Sequence, residues 1–240
     1  MKPLSGYRVI DLSNVLSGPF CGCQLAHLGA EVIKIEVPVR GDLARQLGLD
    51  VELNQKLMGA TFLAQNSGKR SITINLKSEE GVAVFKRLVT TADVIVENFR
   101  PGVMDRLGVG YEVLKNLNAD LVYCAISGFG QEGPLKSRPA YDQIIQGMSG
   151  TMSITGDAET APLRVGFPIA DTIGGMTAAF AISAALAKKD GKRGTFIDVS
   201  MLESVMCTMG FQISNYFNAN QEPQPMGNEN FTGSPSGTFQ

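Results

Sequence analysis

Short β-branched, apolar runs alternate along the chain with segments of helical pattern, and this alternation constrains the fold most strongly. Several runs are almost continuously apolar, as expected for strands that helices cover on both faces. The predicted strands are Arg8–Leu12, Val32–Glu36, Ser71–Leu76, Val94–Asn98, Leu121–Ser127 and Thr195–Val199. The predicted helices are Phe20–Leu28, Glu79–Thr90, Tyr111–Asn118, Tyr141–Ser149, Asp171–Lys189 and Leu202–Asn220. The sequence therefore predicts an α/β fold with a mostly parallel, Rossmann-like sheet between two helical layers.

The composition excludes several broad classes of protein. With 240 residues, 44% of them hydrophobic, the chain can bury one sizeable core. Its formal net charge of −2 gives no general attraction to nucleic acid or to an acidic membrane. The first residues lack the apolar centre of a signal peptide, and no apolar run reaches the length of about eighteen residues that a membrane span needs. We therefore expect a cytoplasmic protein with neither a nucleic-acid nor a membrane partner.

The cysteines and the single histidine offer little chemistry. Cys21, Cys23 and His27 are close in sequence, but a closed zinc site would lack a nearby fourth ligand. Free thiols in a reducing cytoplasm, and no metal, are the expectation. His27 lies late in a predicted helix, away from the strand ends, as is typical of a surface or packing residue. Mechanisms that need a histidine beside a Ser or Cys nucleophile therefore lose most of their support.

One stretch, Gly128 to Gly133, matches the glycine spacing of a dinucleotide-binding loop and follows a predicted strand. The next residue is Pro134, and Pro139 follows shortly. These glycines therefore open a long loop, whereas a pyrophosphate would need them to start a helix. The sequence argues against bound NAD or FAD.

Asp171 opens a predicted helix directly after a turn shaped by Gly166 and Pro168. One interpretation is structural, because Asp often caps a helix by accepting its first free N–H groups. The other is chemical, because a carboxylate kept ionised at a helix N-terminus can attack activated acyl groups. Gly174 and Gly175 would let another group approach the backbone closely. The residues alone leave both interpretations open.

Cationic and aromatic side chains follow two of the predicted strands. Asn98 and Phe99 end one strand, Arg100 and Arg106 flank the Pro-Gly turn after it, and Lys77 follows another strand. Such cations can hold phosphate groups, and the aromatic ring can cover an adenine. The alternative is a solvated basic rim, although so many of these residues at strand ends favour a site.

Four segments closely resemble the class III CoA-transferases, the family of formyl-CoA:oxalate and carnitine CoA-transferases and of α-methylacyl-CoA racemase. They are PLSGYRVIDLSNVLSGPFCGCQLAHLGAEVIKIE, NSGKRSITINLK, ADVIVENFRPGVMDRLG and GFPIADTIGGMTAAFAISAAL. The resemblance runs from Leu4 to about Leu202. It implies a homodimer of two interlocked subunits. It also implies that the chain is the N-terminal part of a longer member, with residues 1–205 in a large CoA-binding domain and residues 206–240 forming a long helix and a linker toward a small domain.

The resemblance also implies a site. The nucleophilic aspartate of the family falls on Asp171. The implied CoA contacts are Val15, Leu16, Arg40, Ile74, Lys77, Asn98, Phe99, Arg106, Ala140 and Tyr141. Two positions depart from formyl-CoA transferase: Leu16 stands where it has Gln, and Val37 stands where it has an Arg that the nearby Arg40 would replace. We expect the backbone N–H groups of Gly174 and Gly175 to stabilise oxyanions.

Within this family, the resemblance favours transfer over racemisation. The racemase branch uses a His in a Gly-His-Asp segment, and this chain has Tyr141 before Asp142 there. The expected reaction moves CoA from an acyl-CoA donor to a small carboxylic acid through an aspartyl-CoA thioester on Asp171. Coenzyme A is thus expected as a substrate thioester, with no tightly bound cofactor. A racemase and a CoA-binding fragment without turnover are the alternatives.

Overall fold

The six predicted strands all form, as a computed structural model of the chain shows. It describes residues 1–188, 193–229, 233, 235, 237 and 238. The strands are β1 (Arg8–Asp11), β2 (Glu31–Glu36), β3 (Arg70–Thr73), β4 (Val94–Glu97), β5 (Val122–Ser127) and β6 (Thr195–Ser200). Most strand ends lie within one residue of the predicted ones, and β3 ends three residues before the predicted Leu76. The predicted α/β class is confirmed.

All six strands belong to one sheet, whose order is β3-β2-β1-β4-β5-β6 and whose ladders are all parallel. This is the strand order of a doubly wound nucleotide-binding fold. Val9 of β1 pairs with Val32 of β2 on one side and with Val94 of β4 on the other. The direction of winding reverses between β1 and β4, and in such sheets the reversal opens a crevice at the carboxyl ends of the two strands. The fold thus predicts where a ligand binds.

Ten α-helices are present among the described residues. They are α1 (Ser17–His27), α2 (Val51–Gln55), α3 (Ala60–Asn66), α4 (Glu79–Val89), α5 (Val103–Arg106), α6 (Tyr111–Lys115), α7 (Asp142–Met148), α8 (Ile169–Leu186), α9 (Met201–Thr208) and α10 (Gly210–Ala219). Two short 3₁₀ helices, Leu43–Gln46 and Thr151–Ile154, lie in the connections. The sequence did not predict α2, α3 or α5, which have only four to seven residues each.

Two predicted helices need correction. The single helix expected over Leu202–Asn220 is wrong, because Met209 leaves helical geometry and separates α9 from α10. The helix expected from Asp171 begins two residues earlier, at Ile169, and its predicted end at Lys189 lies outside the described residues. The division of the chain after residue 205 stays a prediction, since α9 continues across it.

The sheet separates two hydrophobic cores, which explains why its strands are almost continuously apolar. Along β1, Val9 points into the core beneath α1, α8 and α9, and the next residue, Ile10, points into the core beneath α4. Both side chains are completely buried. Burial on both faces is the reason that parallel strands of this kind lack polar alternation.

Helix α8 is long, apolar and closely packed against its neighbours. With 18 residues and a mean hydropathy of 1.5, it is long and apolar enough to cross a membrane, although a core helix has the same features. Here Ala178 and Ile182 are buried in the first core. A Cβ on Gly175 would lie 2.4 Å from the Ser17 carbonyl oxygen, and one on Gly174 would lie 3.0 Å from Met201 Cγ. The glycines therefore allow α8 to approach α1 and α9.

The four cysteines are free thiols. Cys21, Cys23 and Cys124 are buried, and Cys207 on α9 is exposed. Burial raises the pKa of each of the three buried thiols.

Candidate active site

A pocket of about 190 Å³ lies at the carboxyl ends of β1, β4 and β5, beside the reversal of winding. Its walls come from the loop after β1, from the residues that follow β4 and β5, and from the starts of α7 and α8. It brings together most of the predicted site residues: Val15, Leu16, Asn98, Phe99, Ala140, Tyr141 and Asp171. Ser17, Ser127 and Met201 complete much of the lining.

Asp171 is the third residue of α8 and does not cap it. The helix follows Pro168, and no side chain at that position caps it. The cap is instead Asp142 from α7, whose Oδ1 accepts the N–H groups of Ala170 at 2.8 Å and of Asp171 at 3.5 Å. The capping interpretation of Asp171 is therefore wrong. Its own carboxylate lines the pocket.

The surroundings of Asp171 favour the protonated carboxyl. Burial and, to a smaller extent, the negative charge of Asp142 raise its pKa from 3.8 to about 6, against the opposing effect of a hydrogen bond with the Ser17 side chain. The carboxylate is consequently mostly ionised at neutral pH but more basic than an ordinary Asp. This combination suits a carboxylate that must attack and later leave.

Asp142 also belongs to a contact that anchors the chain before α8. Gln146, one turn later on α7, donates from Nε2 to Asp142 Oδ2 at 2.6 Å. The Oε1 atom of the same amide accepts the Val165 N–H at 2.8 Å. Asp142 and Gln146 thus hold both ends of the segment that leads from Val165 to Asp171. The sequence analysis named Asp142 only in the comparison with the racemase branch and predicted an anchoring role for neither residue. The only signal was their spacing of four on a predicted helix.

The Asn98 side chain braces the pocket wall. Its Oδ1 accepts the Asn14 N–H at 2.8 Å, and its Nδ2 donates to the Asn14 carbonyl at 2.8 Å and to Ser17 Oγ at 3.3 Å. These bonds occupy both amide hydrogens, so the side chain has no donor left for a ligand. A direct side-chain contact with CoA, which the resemblance implies, would have to displace one of them.

A second cavity of about 180 Å³ shares a wall with the Asp171 pocket. The shared residues include Asn98, Phe99 and Tyr141. Three cations line its far side: Arg100, Lys136 and Arg138. The last two lie in the glycine-rich loop after β5, which stays irregular up to α7 as the sequence predicted. Cations beside the Asp171 pocket are suited to phosphate groups of a ligand.

Other predicted contacts lie apart from the Asp171 pocket. Lys77 and Arg106 line a separate cavity of about 610 Å³ between the start of α4 and the end of α5, together with Lys86. Ile74 is buried in the core beneath α4, and Arg40 is exposed on the loop after β2. The CoA-binding roles of these residues stay predictions.

The oxyanion role expected for Gly174 and Gly175 also stays a prediction, and their positions do not favour it. Both are buried, at the sixth and seventh residues of α8, where N–H groups bond to carbonyls one turn back. The N–H groups at the helix start, from Ala170 and Asp171, already face Asp142.

Glu97, which sequence reasoning also missed, ends β4 beside the pocket. It is 5% exposed, and burial raises its pKa to about 7 against the opposing effect of the Phe99 N–H, which it accepts at 2.7 Å. It faces a cavity of about 410 Å³ lined by Tyr111, Tyr123 and other residues. Its contact with the Phe99 N–H fixes the chain where it enters the Asp171 pocket.

The single histidine is remote from this chemistry. His27 is exposed at the end of α1, with its Nε2 3.7 Å from Cys23 Sγ. Over the part of the chain that the structure describes, no three His, Cys, Asp or Glu side chains are grouped so as to hold a metal ion.

Comparisons with known proteins agree with this fold. A family model described as CoA-transferase family III matches residues 4–240. The chain is 44% identical over 231 residues to the succinate–glutarate CoA-transferase of Agrobacterium fabrum, with 94% of this chain and 58% of that protein aligned. It is 43% identical over 240 residues to the acetyl-CoA:oxalate CoA-transferase of Acetobacter aceti, with 99% and 61% aligned. A crystal structure of a CAIB/BAIF family protein from Brucella suis matches with a TM-score of 0.90 at 39% identity, over 100% of this chain and 64% of that one.

The chain therefore belongs to CoA-transferase family III. Its relatives are named as CoA-transferases, which supports transfer of CoA as the activity of this class. The chain spans about 60% of the length of these relatives: 58% and 61% of the two enzymes and 64% of the Brucella protein.

Proposed function

We propose that this chain carries the nucleophile of an acyl-CoA:carboxylate CoA-transferase, and that the nucleophile is Asp171. The observation that carries the proposal is the Asp171 carboxylate itself, which lines a pocket with Leu16, Asn98 and Tyr141 and keeps a raised pKa. The free N–H group of Ala170 at the start of α8 donates to the Asp142 carboxylate and not to Asp171. The Asp171 carboxylate therefore has no competing structural role there.

The first half of the reaction moves CoA onto the protein. A carboxylate oxygen of Asp171 attacks the thioester carbon of the donor, the C–S bond breaks, and CoA leaves as a thiolate. The thiolate then attacks the Asp171 carbonyl carbon of the mixed anhydride. The donor acid leaves as a carboxylate, and Asp171 is left as a thioester of CoA.

The second half repeats these steps with the acceptor. Its carboxylate attacks the aspartyl thioester and releases the thiolate, which then attacks the acceptor carbonyl carbon of the new anhydride. The product is the acceptor acyl-CoA, and Asp171 is again a carboxylate. Each step exchanges one acyl bond for another, so the sequence needs no proton donor and no oxidant. The ionised state of Asp171 at neutral pH supports this chemistry.

We propose small dicarboxylic acids as the substrate class. The support is the names of the two relatives, one called a succinate–glutarate CoA-transferase and the other an acetyl-CoA:oxalate CoA-transferase. The cations of the neighbouring cavity, Arg100, Lys136 and Arg138, suit the phosphates of CoA or a second carboxylate. A panel of acyl-CoA donors against oxalate, succinate and glutarate tests this assignment.

Racemisation within the same family is the less favoured function. It needs a histidine paired with the aspartate. The only histidine of the chain, His27, lies at the end of α1, whereas Asp171 lies with Tyr141 in the pocket. An interlocked homodimer in the cytoplasm is part of the proposal, on the strength of the family relationship alone.

The decisive experiment uses the full chain with acetyl-CoA or succinyl-CoA and hydroxylamine. We expect the wild type to acquire a hydroxamate at Asp171, detected by peptide mass, because hydroxylamine captures an acylated carboxylate. Asp171→Ala should lose transfer by at least about 10³-fold, the scale typical of removing a covalent nucleophile, while still binding CoA. Full transfer by the alanine variant would overturn the proposal. CoA binding without any mark on wild-type Asp171 would favour a binding protein without turnover.

A further inference from the structure

The loop after β1 is held by side chains from three other parts of the fold. The Ser13 N–H donates to Asp11 Oδ1 at 2.9 Å, and the Ser13 carbonyl accepts from Lys34 Nζ at 2.7 Å. The next residue, Asn14, gives both of its backbone groups to Asn98. The loop is therefore tied down residue by residue, just before it forms a wall of the Asp171 pocket.

Val15, the next residue, has a backbone conformation that its side chain disfavours. Its φ of 66° lies in the left-handed region, which β-branched residues rarely adopt. The Val15 N–H donates to Asp42 Oδ1 at 3.0 Å. This hydrogen bond comes from the loop after β2, on the side of β1 opposite to Asn98.

Asp42 is itself fixed by a buried ion pair. Its Oδ2 lies 2.9 Å from Lys34 Nζ, and the two side chains are 0% and 1% exposed. Its Oδ1 also accepts the Ala44 N–H at 2.9 Å. One ion pair thus holds the Ser13 carbonyl through its lysine and the Val15 N–H through its aspartate. A buried ion pair adds little net stability compared with apolar side chains of the same size. Stability alone therefore does not explain why Lys34 and Asp42 are paired here.

We propose that the Lys34–Asp42 ion pair is a positioning device that holds Val15 in its left-handed conformation and so presets the pocket wall for CoA. Val15 and Leu16 line the pocket that contains Asp171. Without the pair, the loop would relax to a conformation that Val15 prefers, and the wall would have to be rebuilt on binding. The pair acts through the loop and contacts no substrate. The inference rests on the proposed function for the identity of the ligand.

The test removes both partners together, because a lone buried charge could unfold the protein. The variant Lys34→Met with Asp42→Ala is made in the full chain, and CoA binding is measured by calorimetry. We expect affinity to fall about tenfold, the factor that corresponds to about 1.4 kcal/mol. Adding Val15→Gly should recover most of the loss, because glycine adopts positive φ without a penalty. A merely structural role for the pair would give no such recovery.

The matched control removes an ion pair at the opposite end of β2, away from the loop that follows β1. Arg8 of β1 and Glu31 of β2 are joined at 2.8 Å, and Arg8→Met with Glu31→Ala should leave CoA affinity unchanged. Normal CoA binding by the folded Lys34→Met/Asp42→Ala variant would overturn the proposal. So would a loss that Val15→Gly fails to recover.

A second measurement decides the question without any variant. Amide hydrogen exchange of Asn14 and Val15 in the unliganded wild type should already be slow, and CoA should change it little. Fast exchange that becomes slow only with CoA would show that the wall is not preset. Neither measurement depends on turnover. A failure to mark Asp171 with hydroxylamine would therefore count against the proposed function alone.

Discussion

Two carboxylates, those of Asp142 and Asp171, lie at the start of α8 in different surroundings. Asp142 accepts backbone N–H groups and the Gln146 amide, so its oxygens are occupied. Asp171 has the Ser17 hydroxyl beside it, lines the pocket and feels the charge of Asp142. When two neighbouring acids have such different environments, one commonly has a structural role and the other a chemical role.

The pH dependence of transfer should report on this pair. In the proposed reaction Asp171 must be ionised to attack, and its pKa is raised from 3.8 to about 6. We therefore expect kcat/KM to fall as the pH drops through about 6. Asp142→Asn keeps an amide oxygen for the helix but removes the negative charge, so the midpoint should move toward lower pH.

The measurement is the acid limb of the kcat/KM profile in both proteins, with thermal unfolding as a check on folding. Glu112→Gln serves as the control, because this exposed carboxylate is paired with Lys115 and belongs to α6. An Asp142→Asn profile with the midpoint of the wild type would contradict the assigned influence of Asp142.

At the scale of elements, the site depends on how closely α8 packs against α1. These two helices carry Asp171 and Ser17, respectively. A Cβ at Gly175 would lie 2.4 Å from the Ser17 carbonyl oxygen, and such a contact forces the helices apart. The position of the Asp171 side chain in the pocket is therefore set by a residue that lies one turn further along α8.

Gly175→Ala should accordingly destabilise the fold. Helix propensity alone would favour alanine by about 1 kcal/mol, but overpacking at a backbone contact costs about 1–3 kcal/mol or more. We expect a net loss in the free energy of unfolding, measured by urea titration, together with slower marking of Asp171 by hydroxylamine.

The matched control is Gly147→Ala in α7, where an added Cβ would meet only Met152 Sδ, at 3.7 Å. This change should be neutral or slightly stabilising. Equal effects of the two substitutions would show that the approach of α8 to α1 is not what Gly175 provides.

The sequence predicted the elements better than it predicted the contacts between them. The strands follow from continuous apolar runs, because two buried faces leave a strong local pattern. Short helices such as α2 and α3 have too few turns for a clear period, and the local signal for the break at Met209 is the adjacent Gly210, a residue that helices also tolerate. Element boundaries are least certain where such local signals are weak.

The same distinction applies to the site. Asp171, Asn98 and Phe99 could be predicted because they stand at strand or helix ends and match a family. The partnership of Asp142 with Asp171 joins two helices, and the partnership of Asp42 with Val15 joins two loops. Such residues come together only when the sheet and its helices pack, so no local sequence pattern predicts these contacts.

At the scale of the whole molecule, strand order determines where the chemistry lies. Because β1 and β4 are neighbours in the sheet, the loop that follows β1 and Asn98 after β4 meet although 84 residues separate Asn14 from Asn98. The strands β5 and β6 then extend the sheet toward α9, whose Met201 reaches the same pocket. One reversal of winding thus gathers five separate stretches of chain around Asp171.

The distribution of thiols gives the molecule a ready attachment point for a reporter group. Cys21, Cys23 and Cys124 are buried with raised pKa values, and Cys207 alone of the four is exposed. Since alkylation requires an accessible thiolate, iodoacetamide should add one group to the folded chain and four to the denatured chain, as intact mass would reveal. More than one group on the folded chain would contradict the buried placement of the others. A fluorophore on α9, the helix that contributes Met201 to the pocket, could then report substrate binding without engineered cysteines.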